Sequence, residues 1–218
     1  KGESENKEPQ NAVKLLRKTL CNLADDEKAT IVSIGPLTNL AELIKSGADD
    51  ISPLDGKTLI ERKVAVIGLM GGHFRELGDP EVWFGSELME AECNIKTDPQ
   101  SAKYFFENCP VNVVVVPFCA GRDVLTGNVL IQNDRKDPAA ECYFVHSQGN
   151  RCSWDPITAF VSVYGFDYPF GLTERGTIYS DERGVTHFEI CENGKFRVVT
   201  VSDIKEAEKV IDKKMLAL

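Results

Sequence analysis

Ala29-Thr30-Ile31-Val32-Ser33-Ile34-Gly35-Pro36-Leu37-Thr38-Asn39 is the stretch that decides the fold. Its first six residues are short, largely β-branched and nearly all apolar, which reads as a buried strand ended by the Gly-Pro pair. Helical spacing resumes at once in Leu37, Leu40, Leu43 and Ile44. Upstream, Val13, Leu15, Leu16, Leu20 and Leu23 place an amphipathic helix over 10–24. Downstream, a Gly/Asp/Pro-rich loop over 47–57 leads to Lys63-Val64-Ala65-Val66-Ile67-Gly68-Leu69-Met70, a second buried strand ending in Gly71-Gly72-His73.

The same alternation continues. Asp98-Pro99 opens a helix through Cys109, with Asp as N-cap and Pro at the first helical position. Val111 to Phe118 is a third apolar strand. Strands apolar on both faces and alternating with helices describe an α/β fold, a mostly parallel sheet covered by helices on both sides. Ligands in such sheets bind beyond the carboxyl ends of the strands. Those ends are Gly35-Pro36-Leu37-Thr38, Met70-Gly71-Gly72 and Phe118-Cys119-Ala120-Gly121.

Between and beyond these elements lie an irregular acidic and aromatic loop over 76–90 and a second loop over 122–153. Asp155-Pro156 repeats the cap-plus-proline start and leads into an apolar helix over 157–164. The C-terminal part turns β-rich, with strands over 176–180, 186–190 and 196–201, the last two joined through Asn193-Gly194 as a hairpin. Ser202-Asp203 caps a final helix carrying Ile204, Ala207, Val210, Ile211 and Met215. With no internal repeat and no dividing linker, residues 1–218 read as one domain.

Composition narrows the function classes. The 218 residues carry 25 basic and 34 acidic side chains, a net charge of −9, and no run of Lys/Arg longer than Arg62-Lys63 or Lys213-Lys214. That balance lacks the basic footprint of nucleic-acid binding. No stretch has the roughly 18 consecutive apolar residues of a membrane span. A small-molecule ligand is the better expectation. The seven cysteines, at 21, 93, 109, 119, 142, 152 and 191, show neither zinc-ligand nor redox spacing and read as buried free thiols of a cytoplasmic, reducing compartment. The chain opens Lys1-Gly2-Glu3 without an initiator Met or an apolar leader.

The order of the motifs points further than any one of them. A Gly-Pro-Leu-Thr-Asn turn (35–39), a strand ending Met70-Gly71-Gly72, then Glu92-Cys93-Asn94 shortly before Asp98-Pro99, and Trp154-Asp155-Pro156 at a late helix start together resemble the inosine-uridine preferring nucleoside hydrolase family. The resemblance runs from about Asn11 to the C-terminus. It implies a nucleoside hydrolase-like, Rossmann-like fold, hydrolysis of an N-ribosidic bond of a nucleoside substrate, a bound calcium ion (Ca2+) and a possible homo-oligomer. By that resemblance Thr38 lends its backbone carbonyl and Asp155 its carboxylate to the metal, while Met70, Glu92 and Asn94 line the ribose. Hard calcium favours such oxygens. Carboxylates also suit the oxocarbenium charge that develops as the bond breaks.

The chain departs from the family pattern in three places. Many members carry His before the metal-binding Asp, where it serves the leaving base. Trp154 stands there instead and resembles the purine-preferring branch, in which an indole stacks on the base. A packing role for Trp154 is the plain alternative. Cys93 occupies the place usual for an aromatic. The family's first strand and its aspartate-rich loop have no counterpart, since Asp25-Asp26 and Asp49-Asp50, the only adjacent Asp pairs, follow no apolar strand with Asp-x-Asp. The expectation is a domain lacking its N-terminal segment, which by itself binds calcium poorly and hydrolyses nothing. Two rivals remain: a catalytically incomplete paralogue or subunit that binds a nucleoside or a protein, and a Rossmann-like binding domain outside the family. His73 is a further candidate, touching the sugar or bonding its own loop. Trp83-Phe84 forms a base-pocket wall or simple packing, and His146 and His187 read as ordinary polar residues.

Overall fold

The computed structural model describes residues 11–217. The expected helix start at Gln10, the opening stretch 1–10 and Leu218 lie outside the described residues. Helix α1 (Ala12–Cys21) is capped by Asn11, whose side chain accepts the Lys14 N–H at 3.1 Å. Strand β1 (Ala29–Ser33) and helix α2 (Thr38–Lys45) follow as the sequence predicts. An unpredicted helix α3 (Gly56–Lys63) then leads directly into β2 (Val64–Met70). Its mostly polar sequence hides the helical period, but the Asp55 carboxylate accepts the Thr58 N–H at 2.7 Å and starts it. The loop before α3 is organised around Arg17, which is 1% exposed and binds the Asp49 carboxylate at 2.8 and 3.0 Å as well as the carbonyl of Leu54 at 2.9 Å.

The region read as an irregular loop holds a small hairpin, β3 (Trp83–Phe84) and β4 (Glu87–Leu88), then α4 (Cys93–Thr97). Helix α5 (Pro99–Asn108) has Asp98 as N-cap and Pro99 at its start, as expected, and β5 (Val113–Val116) follows. Helix α6 (Phe118–Arg122) starts where the third strand was expected to end. Where the sequence suggested only loop over 122–153, the chain forms β6 (Leu125–Thr126), α7 (Asn128–Asn133), α8 (Pro138–Ser147) and β7 (Arg151–Cys152). Asp137-Pro138 is the same start signal as Asp98-Pro99. The apolar residues of α8 are spread around the helix, so no periodicity announces it.

Helix α9 (Trp154–Tyr164) precedes β8 (Phe170–Leu172), β9 (Gly176–Ser180), β10 (Thr186–Ile190), β11 (Phe196–Val201) and α10 (Ile204–Met215). One seven-stranded sheet runs β1-β2-β5-β11-β9-β10, with β8 also paired to β11. Strands β1, β2, β5 and β11 are parallel, whereas β8, β9 and β10 join antiparallel. The hairpin expected at Asn193-Gly194 is not one: β10 pairs with β9, and the turn carries the chain past the end of β9 into β11. Gly194 is required there because a Cβ would lie 2.2 Å from the Gly176 carbonyl oxygen.

Alternate residues of each central strand feed two cores. Val113, Val115 and Val198 pack with α1, α2, α3 and α5, and Val114, Val116 and Val199 pack with α9 and α10. Strand β1 departs from the sequence reading. It is the end of the sheet among the described residues, and its burial alternates: Ala29 and Ile31 pack against the first core, while Thr30, Val32 (36% exposed) and Ile34 (49% exposed) face outward. An all-apolar run cannot report which of its faces is covered. No helix among the described residues is long and apolar enough to cross a membrane. Adjacent positions on β1 therefore have different expected sensitivities. Ile31→Thr should cost roughly 1–3 kcal/mol in urea unfolding, and Val32→Thr less than about 0.5 kcal/mol.

Candidate functional site

The parallel strands end on one edge of the sheet, and two backbone hydrogen bonds join β2 to β5 beyond that edge. Gly71 donates its N–H to the Val116 carbonyl at 3.1 Å, and Phe118 donates its own to the Gly72 carbonyl at 2.9 Å. Gly72 has φ +85°, and a Cβ there would come within 2.6 Å of the Phe74 ring, so only glycine fits. Met70, Glu92 and Asn94, expected together from the resemblance, meet at this point. The Asn94 amide donates to the Met70 carbonyl at 3.2 Å and reaches the Met70 sulfur at 3.1 Å. Glu92 is 2% exposed and is the N-cap of α4. Its carboxylate accepts the N–H groups of Asn94 at 3.0 Å, Ile95 at 3.3 Å and Gly72 at 3.4 Å. Burial pushes this carboxyl above its ordinary range, against the downward pull of those amides.

Trp154 stands at the neighbouring strand end. Its indole N–H donates to the Phe118 carbonyl at 2.8 Å, and its ring leans on the Phe118 ring with centroids 5.3 Å apart. Gly121 makes room for it, since a Cβ there would lie 2.3 Å from the indole. The half-exposed Phe84 meets Phe118 edge-on at 6.5 Å, so Phe84, Phe118 and Trp154 form a continuous aromatic row. The Arg151 guanidinium lies 5.9 Å from the Trp154 ring centroid. Trp83, 55% exposed, belongs to the hairpin rather than to this row.

Asp155, read from the sequence as a helix cap, is placed differently. Helix α9 begins at Trp154 with Ser153 in the N-cap place, so Asp155 lies inside the first turn and is not the cap. Partial desolvation raises the Asp155 carboxyl, and the nearby Arg151 charge pulls it down. Thr38 is already the first residue of α2, where carbonyls point along the helix axis away from the strand end. Its hydroxyl donates to the Asp98 carboxylate at 2.5 Å. Moreover, α2 belongs to the core on one face of the sheet and α9 to the core on the other. The carbonyl leaving the strand ahead of Gly35-Pro36 is that of Ile34.

The candidate His73 is 4% exposed and bonded to its own loop: Nε2 lies 2.9 Å from the Pro80 carbonyl, and the backbone exchanges two hydrogen bonds with the Thr186 hydroxyl at 2.9 and 3.0 Å. Asp79 and Cys119, which no motif singled out, lie beside it. One ligand atom from each of the three residues falls within 4.8 Å of the others. His187, read as an ordinary polar residue, stacks on Tyr179 and has Glu76 at 2.6 Å, a partner more than a hundred residues away that local spacing cannot show. All seven cysteines are free thiols, yet only Cys109 is fully buried; Cys93 and Cys142 are exposed.

Comparison with known proteins places this arrangement. The model of the family described as inosine-uridine preferring nucleoside hydrolase matches residues 1–211. The pyrimidine-specific ribonucleoside hydrolase RihA of Escherichia coli (strain SMS-3-5 / SECEC) is 36% identical over 102 residues, 46% of this chain and 26% of that protein. Among solved structures, the inosine-uridine preferring nucleoside hydrolase of Bacillus anthracis superposes with a TM-score of 0.62 at 21% identity, covering 94% of this chain and 66% of the other. An inosine-guanosine nucleoside hydrolase gives 0.62 at 18% identity, covering 94% and 68%. The type III effector protein XopQ complexed with adenosine diphosphate ribose gives 0.57 at 12%, covering 93% and 64%. The match to RihA thus spans about a quarter of that relative's length. With nearly its whole length matched by the family model, the chain belongs to the inosine-uridine preferring nucleoside hydrolase family.

Proposed function

We propose that this chain supplies the ribose-binding and base-binding side of a ribonucleoside hydrolase that cleaves an N-ribosidic bond to ribose and free base. The observation that carries the reading is the Met70–Asn94–Glu92 cluster welded to the carboxyl end of β2. Met70 and Asn94 are the sugar contacts. Glu92 is committed to three backbone amides, so it holds Asn94 in place and adds negative charge near the sugar, where oxocarbenium character develops. His73, turned into its own loop, drops out as a sugar contact. Trp154 stacks on the base. The aromatic row it shares with Phe84 and Phe118 supports a purine. RihA, named as pyrimidine-specific, supports the opposite preference, and substrate comparison decides between them.

Calcium does not fit the described residues by themselves. The ion takes about six to eight oxygens. Asp155 joins no group of three ligand side chains among the described residues, and the Thr38 carbonyl would add a single oxygen. Metal-assisted turnover therefore needs oxygens beyond these. The second reading, a catalytically incomplete paralogue or subunit that binds a nucleoside or a protein partner, draws on the same shortfall.

A reducing-sugar assay on inosine, guanosine and uridine with calcium present should show no ribose release from this chain alone. Release would overturn the claim that further carboxylates are essential. Calorimetric titration should still detect a nucleoside, inosine more tightly than uridine. Trp154→Ala should weaken inosine by about 1–3 kcal/mol, the usual worth of base–aromatic stacking. The raised Glu92 carboxyl has a stability signature. Between the ordinary glutamate pKa and the raised one the folded state binds more proton than the unfolded, so stability rises as pH falls through that window. Glu92→Gln should remove this slope in denaturation curves taken at several pH values.

A further inference from the structure

The cluster His73, Asp79 and Cys119 joins the loop after β2 to the first turn of α6, at the same edge of the sheet. Its donor atoms are of the kinds that bind a borderline-soft transition metal: one imidazole nitrogen, one carboxylate oxygen and one sulfur. The hydrogen bonds around it assign the imidazole tautomer. A carbonyl only accepts, so the Pro80 carbonyl 2.9 Å from His73 Nε2 makes that nitrogen the N–H donor. The neutral ring then carries its lone pair on Nδ1. Orientation of a ligating histidine by a carbonyl on its other nitrogen is a usual second-layer arrangement at metal sites. Asp79 is held as well, because its Oδ2 accepts the Phe74 N–H at 2.7 Å. The loop carrying His73 is pinned on its far side by Thr186.

We propose that His73 Nδ1, an Asp79 carboxylate oxygen and Cys119 Sγ form a binding site for Zn2+. A cleft of about 180 Å³ bordered by Asp79, Pro117, Cys119 and Asp123 adjoins it and leaves room for water to complete a four-coordinate shell. Binding is an exchange without redox change: the Cys119 S–H bond breaks, a sulfur–zinc bond forms, and one proton goes to solvent. The metal-free thiol is a poor nucleophile. Desolvation and the neighbouring Asp79 charge push it up to about 12. The site does not depend on the function proposed above, and its donor set disfavours calcium, which wants oxygens alone.

Thiol labelling of the reduced wild-type protein tests the proposal. One equivalent of Zn2+ should slow alkylation of Cys119 by at least about tenfold, read by peptide mapping, and leave the exposed Cys93 and Cys142 unaffected. Calcium at the same concentration should give no protection. Cobalt(II) should give a thiolate-to-metal absorption band that is lost in Cys119→Ser and weakened in His73→Gln and Asp79→Asn, each checked for folding by circular dichroism, and kept in Cys93→Ser and Cys142→Ser. Equal labelling of Cys119 with and without Zn2+ would overturn it. So would a cobalt band that survives in folded Cys119→Ser.

Discussion

Two backbone hydrogen bonds, Gly71 N–H to Val116 and Phe118 N–H to Gly72, carry more of this molecule than their number suggests. Parallel strands normally separate once their ladder ends, because each chain must leave for its own crossover helix. Here the chains stay bonded for two residues past the ladder, which brings the loop after β2 and the helix after β5 into contact. The Gly72 N–H is thereby turned toward Glu92, and the Phe118 carbonyl is held where the Trp154 indole finds it. The Met70–Glu92–Asn94 group, the aromatic row and the His73–Asp79–Cys119 cluster all hang from this junction. A left-handed Gly72 is its condition, since no side chain fits beside Phe74.

Much of the fold was readable where period and punctuation agreed. Asp98-Pro99, the valine run of β5 and the Ser202-Asp203 start of α10 each combine a strong local signal with an apolar pattern, and each element forms as expected. Failures have a common cause in missing contrast. Helix α3 is polar along most of its length, and α8 is apolar on several sides, so neither shows an amphipathic stripe. Strand β1 looked buried on both faces because its composition matches β2, although it ends the sheet. Asn193-Gly194 forms its turn, but a turn motif does not say which strand lies beyond it, and β9 occupies the place next to β11.

The candidate site was legible in its residues more than in its connections. The order of motifs brought Met70, Glu92 and Asn94 together, and the structure shows why their spacing works: a short capped helix lets Glu92 hold Asn94 under the strand end. Thr38 illustrates the converse. Its identity fits the motif, but its hydroxyl is bonded to Asp98, a partner that no local spacing encodes. Asp155 looked like a cap and is not one, because Ser153 takes that place and the carboxylate is left without a capping bond. Asp79 and Cys119 carried no local signal, since their association with His73 exists only once β2 and β5 are joined.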